Sequence, residues 1–201
     1  MRYLITQSLL SAWTWMFHAY DTDEAEEAFL RALRREPSED SDAKKSGREF
    51  ESLCYSFADD ARVEHPWASG AKDIGEIIKG GARQVVCSSP LTVKGEDFLV
   101  YGIMDAVKAG VIYDIKFSTK SFGSVDLAGK YLDSPQHPTY FYLVPYAYEF
   151  KYLVSDGEDV YIEPYRRKDT KPLTDIMSNF IDYLKFTKLW DEYTTYWRAD
   201  R

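Results

Sequence analysis

At 201 residues, 45% of them apolar, the chain can bury one sizeable core, and this composition excludes a disordered class. A net charge of −8 excludes a surface coated in phosphate-neutralising cations, so any nucleic-acid contact must sit in a local basic groove. Two cysteines are too few for a four-cysteine cluster, and no stretch approaches the roughly 20 apolar residues of a membrane span.

In chain order, Thr6 or Ser8 caps a first helix through about Tyr20, with Leu9, Leu10, Trp13, Phe17 and Tyr20 on its inner side. The apolar run 9–17 is not read as a signal peptide: Ser11 and Thr14 interrupt it, and no small-residue cleavage site follows. With Cys54 and Cys87 both in apolar surroundings, the expectation is a cytoplasmic protein with reduced, buried thiols. A second helix over 24–35, acidic at its head and basic at its tail, and a polar connection over 36–42 come next. A third helix over 44–63 carries Phe50, Leu53, Cys54, Phe57 and Ala61 at helical spacing. Beside that stripe stands Glu51, on an edge shared with Gly47 and Ala58 that is small enough for a sheet to approach. Residues 68–79 read as a loop and short helix, and 83–88 as a first strand.

The run from Gly102 to Phe117 carries the chemistry. Segments 98–104 and 111–117, rich in Val, Ile, Tyr and Phe and joined through Lys108, Ala109 and Gly110, read as a β-hairpin. Alternation puts Leu99, Tyr101, Ile103 and Asp105 on one face of the first strand, and Ile112, Asp114 and Lys116 on one face of the second. Charge inside such strands is costly unless it is paired, bound to metal or at an open edge. Asp105 and Asp114 can grip Mg²⁺ or Mn²⁺ through hard oxygen ligands, while Lys116 steadies an attacking hydroxide or the charge on a phosphorane-like transition state. The other reading is a structural ion pair between Lys116 and one of the acids. Acid-x-Lys recurs at Asp42-Ala43-Lys44, Glu149-Phe150-Lys151 and Asp169-Thr170-Lys171, but only Asp114 has a second acid closing the preceding strand. Lys44, Lys45, Arg48, Lys116, Lys120 and Lys130 supply the local basic groove, and the run Arg166-Arg167-Lys168 reads as a solvated turn.

Gln136-His137-Pro138 marks a helix start, with Gln136 and Tyr140 four apart on one face. As structure alone, Gln136 is a cap and Tyr140 a core aromatic. A second hairpin turns through Ser155-Asp156-Gly157-Glu158, and a long helix over 175–197 ends the reading, packed beside the core. With no linker in the sequence, 1–201 reads as one domain. His18, His65 and His137 have no zinc spacing and read as structural.

Taken in order, Gly47-Arg48-Glu49-Phe50-Glu51, Gly102-Ile103-Met104-Asp105, Asp114-Ile115-Lys116 and Gln136-His137-Pro138-Thr139-Tyr140 resemble the four motifs of the PD-(D/E)XK nuclease superfamily, and most of all its RecB-type exonucleases with their viral, phage-related and CRISPR-associated relatives. The resemblance spans residues 47–143. It implies an α/β, restriction-endonuclease-like core, a mixed sheet flanked by helices with N- and C-terminal helical additions. It further implies a Mg²⁺- or Mn²⁺-dependent DNA nuclease, with exonuclease as the subclass, and possible protein partners in repair or recombination. By the same resemblance Asp105, Asp114, the carbonyl of Ile115 and Glu51 hold metal. Lys116 activates the nucleophilic water, and Gln136, Tyr140 and Lys120 position DNA or brace the site. Glu51 stands where this branch commonly has histidine, and the iron–sulfur cysteines of some relatives are absent. A catalytically inactive nuclease fold serving as a binding or assembly module is the alternative.

Overall fold

A computed structural model describes residues 1–37, 39–124 and 127–199. Its centre is a mixed six-stranded sheet with helices on both faces, an α/β architecture. Strands β1 (Arg2–Thr6), β2 (Ala82–Val93), β3 (Glu96–Lys108), β4 (Val111–Phe117), β5 (Glu149–Ser155) and β6 (Val160–Arg166) form it, in the order β1-β3-β4-β5-β6 with β2 also on β3. Helices α1 (Gln7–Trp15), α2 (Thr22–Leu33), α5 (Gln136–Leu143), α6 (Leu173–Phe186) and α7 (Trp190–Tyr196) pack on one face, and α3 (Asp42–Ala58) with α4 (Ala68–Ile78) on the other.

Local chemistry explains where the first three helices start. The Thr6, Asp21 and Ser41 side chains accept hydrogen bonds from the amides of Leu9, Glu24 and Lys44, satisfying donors that the first turns of α1, α2 and α3 leave free. The β3–β4 turn consists of Ala109 and Gly110, both with positive φ, as a two-residue hairpin turn requires. Parallel neighbours need a crossover. Between β4 and β5 that crossover is α5, whose residues other than Tyr142 are all buried.

Several elements differ from the sequence reading. β1 went unpredicted, and α1 stops at Trp15, so Phe17 and Tyr20 are exposed rather than inward. α3 ends at Ala58, before Ala61, and Gly47 fronts open space where a sheet was expected to approach. The strand expected over 83–88 runs on to Val93, and Cys87 on it is only partly buried. Residues 68–78 are fully helical. The tail is two helices, broken at Lys188 where φ reaches 63°. Arg167 is no solvated turn residue: its guanidinium donates to the carbonyls of Ala147, Phe141 and Val144, each at 2.6 Å, and so caps the end of α5. Ser38 of the predicted 36–42 connection lies outside the described residues.

Candidate functional site

The sheet is forked where the predicted acids lie. Along one edge of β3 runs β2. The other edge pairs with β1 over Asp97–Tyr101 and with β4 only over Ala106–Lys108, so residues 102–105 have no strand partner there. The ladder with β2 also skips the rung between Gln84 and Asp105. Side-chain alternation slips at the same point, since Phe98, Val100 and Met104 share a core cluster with Val107. The expected face of Leu99, Tyr101, Ile103 and Asp105 holds as far as Asp105, and the alternation breaks just beyond it, at Ala106 and Val107.

Backbone groups around the fork are taken by side chains. Asp105 Oδ2 accepts from the Ile115 amide at 2.7 Å, and the Tyr140 hydroxyl donates to the Ile103 carbonyl at 2.7 Å. Antiparallel register sets Asp105 opposite Asp114, one step beyond the last rung. Lys116 Nζ stands 2.7 Å from Asp114 Oδ2, an ion-pair contact whose angle leaves Oδ2 without a well-aligned hydrogen bond in a side chain only 4% exposed. Gln136 Nε2 donates to Asp114 Oδ1.

Glu51 reaches the fork from α3. Its Oε1 accepts from the Tyr55 hydroxyl and from Gln84 Nε2, both at 2.5 Å, and Tyr55 Oη lies 3.1 Å from the Asp105 carbonyl oxygen. Burial, then the charges of Asp114 and Glu51, push the Asp105 carboxyl well above the ordinary carboxylate range, against the opposing pull of the Ile115 amide and Lys116. Burial pulls Lys116 down, but Asp114 and Asp105 outweigh it and the ammonium ends above its ordinary value. The Asp114 carboxylate, paired with Lys116, and the mutually repelling acids Asp105 and Glu51 offer hard oxygen donors of the kind a divalent cation takes. Among the described residues no three His, Cys, Asp or Glu side chains stand close enough to cage a metal by themselves.

Of the other predicted residues, Gln136 and Tyr140 are each 5% exposed, and both spend their polar groups inside the protein. Of the two roles expected for them, positioning DNA or bracing the site, these internal hydrogen bonds fit bracing. Lys120 is exposed, in a turn just past β4. The Ile115 side chain lies in the core under α3 and α4. His137 is structural as expected, stacked on Tyr165 at 4.2 Å and held to about 4 by burial.

No family model and no curated protein matches the chain. The crystal structure of SSO0001 is similar to it. The TM-score is 0.52 at 13% identity, covering 91% of this chain and 77% of that one. At such identity the likeness shows the shared fold.

The sequence reading missed Tyr55, Gln84 and Tyr131. Tyr55 could have been found, because it lies four residues after Glu51 on the same helix face. Tyr131 stacks on Tyr152 at 4.1 Å, and burial pushes its hydroxyl up to about 12, so it stands neutral near Lys116. It also lines a cavity of about 380 Å³ with Thr14, Trp15, His18, Lys130 and Pro135.

Gly102 explains its own place in the motif. A Cβ there would meet the Tyr140 ring at 2.6 Å and Leu143 at 3.0 Å. Gly102→Ala is expected to push Tyr140 off the Ile103 carbonyl and to cost about 1–3 kcal/mol, the scale of overpacking. Urea unfolding checks it, and a stability equal to wild type would remove that role.

Proposed function

We propose that the chain is a divalent-metal-dependent deoxyribonuclease of the PD-(D/E)XK type, acting as an exonuclease. The observation that carries the reading is the convergence of Asp105, Asp114 and Lys116 at the fork between β3 and β4, with Glu51 one hydroxyl away. Asp105 and Asp114 would hold Mg²⁺ or Mn²⁺ directly, joined by the Ile115 carbonyl, and Glu51 would serve through water. A cation held there supplies charge neutralisation at the scissile phosphate and a more acidic water.

The chain's own residues do the rest. The Lys116 ammonium orients the nucleophilic water and faces the charge that grows on the phosphate oxygens. Gln136 fixes the Asp114 carboxylate, so the acid keeps one orientation. Tyr140 ties α5 to β3 beside Asp105, and exposed Lys120 meets a backbone phosphate of the strand. The exonuclease subclass rests on the resemblance to the RecB-type branch alone.

A second reading, a binding module without hydrolysis, draws on the direct Lys116–Asp114 contact as a structural ion pair. Incubating the protein with linear and with covalently closed DNA, in Mg²⁺ or in EDTA, separates the two. The proposal expects linear DNA to shorten only in Mg²⁺ while closed circles survive. Nicking of circles would make the enzyme an endonuclease, and intact DNA in every lane would leave the binding module.

A further inference from the structure

Gln84 has a backbone that its position in the sheet does not require. It holds φ at 48° in mid-strand, where non-glycine residues are rarely found. Its side chain is exposed, so core packing does not demand it. The distortion falls at the missing rung opposite Asp105, and it carries the side-chain amide to two targets. Nε2 lies 2.5 Å from Glu51 Oε1 and 2.9 Å from Tyr55 Oη. The preceding residue anchors the arrangement: Arg83 makes a two-pronged contact with Asp59 at 2.8 and 2.9 Å and donates to the Tyr55 carbonyl at 3.1 Å, fixing β2 against the end of α3. Strained backbone held by its surroundings clusters where geometry serves function.

We infer that Gln84 and Tyr55 are positioning residues for Glu51, and that the left-handed turn of Gln84 is kept because it aims the amide at that carboxylate. Both donors converge on Oε1, which leaves Oε2 outside their network for the metal's water shell. The inference rests on the metal-dependent nuclease reading and adds to it the residues that set cation affinity from outside the ligand set.

The test is a Mn²⁺ titration of the whole chain without DNA, by calorimetry, together with thermal unfolding of the metal-free protein. Gln84→Gly takes the left-handed backbone without strain, and Gln84→Asn tolerates it but is too short to reach Glu51. Both should unfold no earlier than wild type and yet bind Mn²⁺ about 10–100-fold more weakly, the range expected for lost outer-shell partners. Tyr55→Phe should weaken binding as well, and combining it with Gln84→Gly should cost less than the sum, because both act on one oxygen. Wild-type affinity in Gln84→Gly and Gln84→Asn overturns the inference while leaving the nuclease reading in place. A wild-type chain that neither binds Mn²⁺ nor cuts DNA overturns both.

Discussion

On the proposed nuclease reading, replacing Lys116 by alanine is expected to slow DNA hydrolysis about 10²–10⁴-fold, the range for losing a positioned proton-transfer or charge-stabilising group. The loss must be separated from unfolding. Asp114 is nearly buried and has Lys116 as its cation, so truncation leaves a charge short of its partner and costs stability. Lys116→Arg resolves the two effects. Arginine keeps a cation beside Asp114 and should keep the melting temperature, but its planar fork cannot occupy the place of an ammonium beside a water. A folded, inactive Lys116→Arg chain supports catalysis by Lys116, and wild-type rates in that variant confine Lys116 to a structural ion pair.

Asp105→Asn should have the opposite effects on binding and on stability. Asparagine still offers an oxygen to the Ile115 amide, so the bond that ties β3 to β4 survives. What disappears is a desolvated charge facing Asp114 and Glu51. The folded-state carboxyl is raised, so between its unfolded value of about 3.9 and the folded one the native chain keeps a proton the unfolded chain has lost. Wild-type stability therefore falls as pH rises through that window and stays lowered at neutral pH. The metal-free variant should melt above wild type at pH 7, by about 2–4 °C for each kcal/mol relieved, and the gap should close near pH 4. Added Mn²⁺ should raise the melting temperature of wild type alone, with affinity in the variant down more than about 100-fold. A variant that melts below wild type at pH 7 would show that no repulsion is stored at the fork.

Much of this site is legible in the sequence, for physical reasons that can be named. The β3–β4 hairpin announces itself through β-branched and aromatic runs around a glycine turn, and acids in such runs stand out because burial penalises them. The spacing of Gln136 and Tyr140 placed both on one helix face, and both do brace the fork. Other features leave no such trace. β1 is five residues long with no turn before it, and pairing with β3, 95 residues on at Tyr3↔Phe98, is what makes it a strand. β2 passes through Pro90, which a central strand would not accept but an outer one does. Gln84 and Lys188 take left-handed backbone with no glycine to signal it. Arg167 looks like its charged neighbours Arg166 and Lys168 until its three carbonyl partners are seen.

The outer side of β1 is closed by the far end of the chain. The Leu4 amide donates to the Trp197 carbonyl at 2.6 Å, the Ala199 amide to Arg2 at 3.0 Å, and the Tyr193 hydroxyl to Leu4 at 2.8 Å. On the ribosome, Arg2–Thr6 therefore emerges almost the whole length of the chain before the residues that cover it. Until translation brings them out, its amides and carbonyls on that side are open to any extended peptide nearby, and nascent chains on one message are the nearest source.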